Sequence, residues 1–285
     1  MDDKILELKT TLVIYLAFAV SIAFELWYWR RRGHGDKYDL KDSLANYALL
    51  AMQVLLGELG KIFFIVTCLD WVRAHGVNVL GENWYSALLA FLGVDLAYYW
   101  FHRMSHRSRW LWAIHVSHHS SELMNFSTAL RQPPLEHLLD WVWFIGLAWL
   151  GLPAKTILLM YGLNLTYQFF IHTELIYKLP RWIEYVLNTP SHHRVHHGRN
   201  AEYLDMNYGG VFIVWDRLFG SFIEERAPVE YGILKPIHST NPFYVGFHLW
   251  ADLWRDVNRP SSLITKLKLF FAPPGWAEEY RLKEQ

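Results

Sequence analysis

An all-α integral membrane protein with a histidine-rich cap is the fold class the sequence predicts. Three observations carry it: hydrophobic runs long enough to cross a bilayer, tight blocks of histidine placed beside those runs, and a positive charge pattern that puts the blocks on one side. Together they imply metal chemistry at a membrane surface.

Residues 11–29 approach the roughly 20 apolar residues a spanning helix needs. They end in Trp27, Tyr28 and Trp29, followed by Arg30, Arg31 and Arg32, which mark the cytoplasmic side. A second run covers 43–69 and a third 83–101. The connection between them carries Arg73 as its basic residue and is expected to face away from the cytoplasm. The third span then delivers His102, Arg103, His106, Arg107 and Arg109 to the cytoplasmic face. A fourth apolar stretch, 138–171, is too long for one span and is divided by Gly151-Leu152-Pro153, the signature of a helical hairpin. The whole chain, 1–285, is expected to form one domain: about three spans plus the hairpin, with a cytoplasmic cap built from 102–137 and 172–285. Leu263, Ile264, Leu267, Phe270 and Phe271 lie at helical spacing beside Lys266 and Lys268, a pattern shared by interfacial helices and ordinary surface helices.

Composition agrees with apolar partners. Hydrophobic residues make up 53% of the chain and aromatic residues 17%, and 27 basic side chains balance 27 acidic ones. That balance gives no field for nucleic acid. The mean hydropathy of +0.07 averages apolar runs with a polar remainder. A single cysteine, Cys68, excludes an intrachain disulfide and any multi-cysteine zinc or iron–sulfur site.

The chemistry lies in the histidines. His102 and His106 are four apart, so a helix brings them to one face a turn apart. His115, His118 and His119 repeat the device, and His193, His196 and His197 repeat it again; His172 ends the hairpin. One ion cannot use nine imidazoles, whereas two ions with four or five ligands each can. A closed structural zinc site needs four ligands. His192 stands beside the last block as either a ligand or a supporting donor, while His34, His75, His137, His238 and His248 stand alone. Asp95 lies two turns before His102 inside the third span, where an isolated charge is costly and needs a partner. It is a candidate acceptor near the site or a polar group of a substrate pocket, with a bond to another helix as the alternative. Glu58 and Lys61 are three apart and can pair, and Tyr98, Tyr99 and Trp100 fit an interfacial aromatic belt or, for one of them, the lining of an acyl channel. A metal transporter or sensor would instead place ligands near the bilayer midplane among repeated spans, and no repeat is present.

The spacing HxxxH, HxxHH and a later HxxHH resembles the fatty acid hydroxylase and sterol desaturase superfamily of membrane di-iron oxygenases. Further stretches, His118 to Glu122, Asn125 to Gln132, Ile171 to Glu174, Asn188 to Gly198 and Trp215 to Gly220, are similar to its alkylglycerol monooxygenase branch. The resemblance implies that the nine histidines His102, His106, His115, His118, His119, His172, His193, His196 and His197 hold two Fe ions. It also implies a lipid substrate, an electron donor that is tetrahydrobiopterin in that branch, and oxygen-dependent hydroxylation, with desaturation as the alternative. The localisation implied is a multi-pass protein of a bacterial inner membrane or the endoplasmic reticulum. Glu122, Glu174 and Asp216 are candidates for carboxylates that orient imidazoles. The chain departs from the branch in carrying Arg107 where an acidic residue follows the first block.

Overall fold

The computed structural model describes residues 2–60, 64–81 and 84–283, with the side chains of 2–8, 84, 281 and 283 left aside. Its named elements are helical, accompanied among the described residues by two isolated bridges, Leu187 with Phe212 and Gly198 with Tyr231. The helices are α1 (Asp2–Arg31), α2 (Leu40–Gly60), α3 (Val66–Ala74), α4 (Trp84–Arg107), α5 (Arg109–His119), α6 (Ile145–Trp149) and α7 (Ala154–Ile171). They continue as α8 (Arg181–Val186), α9 (Pro190–His196), α10 (Val214–Phe219), α11 (Pro242–Val257), α12 (Leu263–Phe271) and α13 (Pro274–Lys283).

Helix α4 is the axis of the site. Its 24 residues rise roughly 36 Å at 1.5 Å each, so one rod carries an apolar stretch and the first two histidines without a break. Ser108, in an extended conformation (φ −129°, ψ 125°), turns the chain sharply into α5. Arg109 then anchors the start of α5: its N–H donates to the Ala272 carbonyl (2.9 Å), and its guanidinium donates to the Leu269 carbonyl (3.1 Å) and to Asp256 Oδ2 (2.5 Å). One apolar core joins α3, α4, α6 and α7 through Leu69, Val94, Phe101, Ala148 and Ile157. A second joins α1 to α7 through Ile22, Phe126, Leu130 and Phe169, with Phe18 stacked on Phe169 at 3.8 Å.

The expected spans are met unevenly. One helix segment among the described residues, Lys9–Arg31, is long and apolar enough to cross a membrane. Within the 43–69 run, α2 is described to Gly60 and residues 64–65 are π-helical and lead into α3 at Val66, while residues 61–63 lie outside the described residues. The Glu58–Lys61 pairing therefore falls partly outside them, as does the start of the 83–101 run. The hairpin turn sits where Gly151 and Pro153 put it. Gly151 has φ +111°, and a Cβ there would come within 2.8 Å of Asn78 Cα, so only glycine fits. Its first arm, however, is the 3₁₀ stretch Asp140–Phe144 and the single turn of α6, too short to span. Asp140 draws that arm inward, accepting from Tyr161 (2.8 Å) and from His137 Nδ1 (2.7 Å). The aromatic belt is also corrected. Tyr98 and Tyr99 are buried, donating to Gln168 (2.9 Å) and meeting Ser221 (2.9 Å), while Trp100 faces outward.

Candidate metal centre

Four segments converge below the end of α4. Helix α4 presents His102 and His106, α5 presents His115, His118 and His119, the end of α7 presents His172, and α9 presents His193 and His196 with His197 at its end. All nine imidazoles are buried. They fall into two groups, His102, His106, His115, His119 and His196 in one, and His118, His172, His193 and His197 in the other. Within each group, one nitrogen per ring lies within 4.8 Å of the rest. Each HxxHH block is thus shared: α5 gives two histidines to the five-membered group and one to the other, and α9 does the reverse.

The nitrogens suit a cation. His102 Nε2 stands 3.1 Å from His115 Nε2, which stands 3.2 Å from His119 Nε2. In the second group, His172 Nε2 lies 3.3 Å from His118 Nε2 and 2.8 Å from His193 Nε2, itself 3.1 Å from His197 Nε2. Imidazoles bound at about 2.1 Å and at right angles would stand about 3 Å apart. Hydrogen bonding decides the tautomers. His102 Nδ1–H donates to the Tyr208 carbonyl (2.9 Å), His118 to that of Arg131 (3.2 Å), His172 to that of Gln168 (2.7 Å) and His196 to that of Met206 (3.0 Å). His118 Nε2 and His172 Nε2 therefore face each other as two lone pairs, an arrangement that repels unless a cation lies between. Protonation offers no relief. Burial, aided by neighbouring imidazoles, pushes His102, His106, His118, His119, His193 and His197 well below 6.5, and burial brings His172 to about 4 and His196 to about 3. His106 Nε2 and His196 Nε2 are buried with no hydrogen-bond partner, which metal ligation would answer. The donor set fits two nitrogen-ligated metal ions.

The expected carboxylates divide. Asp95 receives four donors: Asn164 Nδ2 (2.6 Å) and the Val211 N–H (2.7 Å) on Oδ1, the Phe212 N–H (3.1 Å) and Trp215 Nε1 (2.8 Å) on Oδ2. Asp216, pushed up to about 6 by burial, accepts from the N–H groups of Tyr208 and Gly209 and from Ser221, each at 2.7 Å. The two carboxylates hold the two ends of the 208–212 turn, Asp216 at 208–209 and Asp95 at 211–212, and that turn supplies the carbonyl that orients His102. Gly210 permits the approach, since a Cβ would lie 2.8 Å from both Asn164 Oδ1 and Asp95 Oδ1. Glu122 and Glu174 are placed elsewhere. Glu122 is exposed, and Glu174 pairs with Lys37 (2.6 Å) and Tyr231 (3.1 Å); neither bonds an imidazole among the described residues. The carboxylate that does is Glu136, whose Oε2 accepts from His115 Nδ1 at 2.9 Å. It opens a short 3₁₀ turn, Glu136–Leu138, four residues past Gln132 and far in sequence from the histidine it serves, so no local pattern marks it.

His192 stands outside both groups. Its Nδ1 accepts the Thr189 N–H (3.4 Å) at the start of α9, and burial, followed by Arg217, lowers it to about 4. Arg107 pairs with Asp205 at 3.3 Å, and Asp205 Oδ1 stands 3.8 Å from His106 Nδ1, so the acidic group arrives from a neighbouring loop.

Comparison with known proteins agrees with this geometry. The fatty acid hydroxylase family matches residues 87–221, a segment that includes all nine histidines. An alkylglycerol monooxygenase from Homo sapiens is 47% identical over 194 residues, covering 68% of this chain and 42% of the relative. One from Caenorhabditis elegans is 34% identical over 257 residues, 86% of this chain and 50% of the relative. A Delta(7)-sterol 5(6)-desaturase from Gibberella zeae is 29% identical over 201 residues, 64% and 58%. The chain spans about half the length of the alkylglycerol monooxygenases it matches. No solved structure matches it. With its two histidine groups inside the matched segment, this chain belongs to the fatty acid hydroxylase and sterol desaturase superfamily.

Proposed function

We propose that this chain, as one domain, is a di-iron, O2-dependent monooxygenase that hydroxylates the alkyl chain of a membrane lipid, with ether lipids as the first substrate class. The observation that carries this reading is the partition of nine buried histidines into groups of five and four. Iron bound at these groups would supply oxygen activation and removal of hydrogen from an unactivated carbon. The protein's part is geometric. Backbone carbonyls of Tyr208, Met206, Arg131 and Gln168 hold four imidazoles in the Nδ1–H tautomer, leaving Nε2 free to ligate. Burial of every imidazole excludes water from the centre.

The membrane setting has its own support. Helix α1 is long and apolar, and Arg31 and Arg32 sit over Trp27 and Tyr28 at 6.0 and 4.9 Å, an anchor suited to the cytoplasmic interface. Leu12, Leu16, Leu55, Leu88 and Leu159 on α1, α2, α4 and α7 are exposed, which suits a lipid surround. We place the histidine groups on the cytoplasmic side.

The test is product analysis by mass spectrometry with an alkylglycerol, O2 and tetrahydrobiopterin, the reductant that the resemblance suggests, set beside other donors. An added oxygen or ether cleavage, abolished by His118→Ala with membrane insertion intact, is expected. Loss of two hydrogens without added oxygen would assign a desaturase, and turnover retained in His118→Ala would defeat the oxygenase reading.

A further inference from the structure

The two histidine groups differ in what stands behind them. Behind the five-membered group are carboxylates: Glu136 Oε2 accepts from His115 Nδ1 at 2.9 Å, and Asp205 Oδ1 lies 3.8 Å from His106 Nδ1. Behind the four-membered group, the described acceptors are neutral backbone carbonyls, that of Arg131 for His118 and that of Gln168 for His172. Two guanidinium groups near the second group are already matched, Arg131 by Asp42 (3.0 Å) and Arg194 by Glu225 (2.7 Å).

Glu136 is notable for its burial. It is 4% exposed, and its ion-pair partner in the structure is the His115 imidazole. A carboxylate out of water needs a compensating positive charge. A cation on the far nitrogen of the same ring supplies it through the imidazole, and the carboxylate in turn makes that nitrogen a stronger donor. The segment is built to hold it there. Pro133 and Pro134 stiffen the approach, the Glu136 N–H donates to the Pro133 carbonyl (3.2 Å), and the Leu139 N–H donates to the Glu136 carbonyl (2.9 Å).

We infer that Glu136 is a positioning residue that makes the metal pair unequal, so that the five-histidine group holds its ion more tightly than the four-histidine group. The inference rests on the two-metal reading above. It follows from the extra ligand and the anionic support on one side, against four ligands and neutral support on the other.

The experiment uses the purified full chain, stripped with chelator and titrated with Co2+, whose d–d absorption reports coordination. Two steps are expected. Glu136→Gln keeps a carbonyl for His115 Nδ1 and removes the charge; it should weaken the tighter step by about 10–100-fold and leave the weaker step within about threefold. Glu136→Asp, which keeps the charge and retracts it by one methylene, should fall between. His118→Ala, in the other group, should remove the weaker step alone, an assignment independent of how any Glu136 variant folds. Equal effects of Glu136→Gln on both steps, no effect on either, or loss of the tighter step in His118→Ala would overturn the inference. One Co2+ per chain in the unaltered protein would overturn the two-metal reading itself, and the inference with it.

Discussion

Asp95→Asn isolates the clamp on the 208–212 turn from the metal ligands. In the native protein each carboxylate oxygen receives two donors. The amide leaves one oxygen as acceptor and turns an NH2 group toward the other two donors, so two charge-assisted bonds are lost in a buried site. At about 1.5–3 kcal/mol each, the loss is roughly 3–6 kcal/mol. In a chain of this size that lowers Tm by roughly 5–10 °C. The ligands are untouched, yet the turn that carries the Tyr208 carbonyl is then held at its Asp216 end alone, so metal content should fall with Tm. Differential scanning calorimetry and metal analysis of detergent-solubilised protein read both quantities. His102→Ala is the counterpart: it should lower metal content with a smaller change in the melting of the metal-free protein. An Asp95→Asn protein that melts within about 2 °C of the native one and keeps its metal would refute the clamp.

Acid should destabilise the metal-free protein below pH 6.5. His172 and His196 titrate near 4 and 3 in the fold, so the unfolded chain takes up protons first as pH falls. Stability is intact above 6.5 and declines toward the folded values, by up to about 1.4 kcal/mol per pH unit for each such histidine. Thermal melts from pH 7.5 to 4.5 check this, and a Tm constant down to pH 5 would contradict it. Arg107→Ala removes an ion pair whose partners are both exposed, worth at most about 1 kcal/mol. Metal content and turnover should stay within about twofold; loss of metal would show that Arg107 reaches the centre.

The elements most legible in the chain were those whose signal is local. The i, i+4 spacing of His102 and His106 and the two HxxHH blocks named eight of the nine members of the two groups, because helical periodicity alone puts such residues on neighbouring faces; His172 stands outside any such block. Gly151 and Pro153 marked the hairpin turn for a similar reason, since the conformation there admits only a few residue types. Signals that depend on partners distant in sequence were read less well. The 43–69 run carries no signal for the π-helical residues 64–65 that precede α3, because apolar residues do not reveal a change of helix type. Tyr98 and Tyr99 looked interfacial because their partners, Gln168 and Ser221, lie 70 and 122 residues away. Glu122 and Glu174 adjoin histidines in sequence but not across the fold, whereas Glu136 reaches His115 from 21 residues downstream.

By itself, then, the sequence named the candidate donors: nine imidazoles, more than one ion can use. Only the tertiary structure decided which histidine joins which group. A helix turn of 100° sends His115 and His119 to one side and His118 to the other, and which group each side meets depends on how α4, α7 and α9 pack around α5. The same packing chose Glu136 as the carboxylate behind His115 and gave Asp95 the turn rather than the metal, because hydrogen bonds form between neighbours in space.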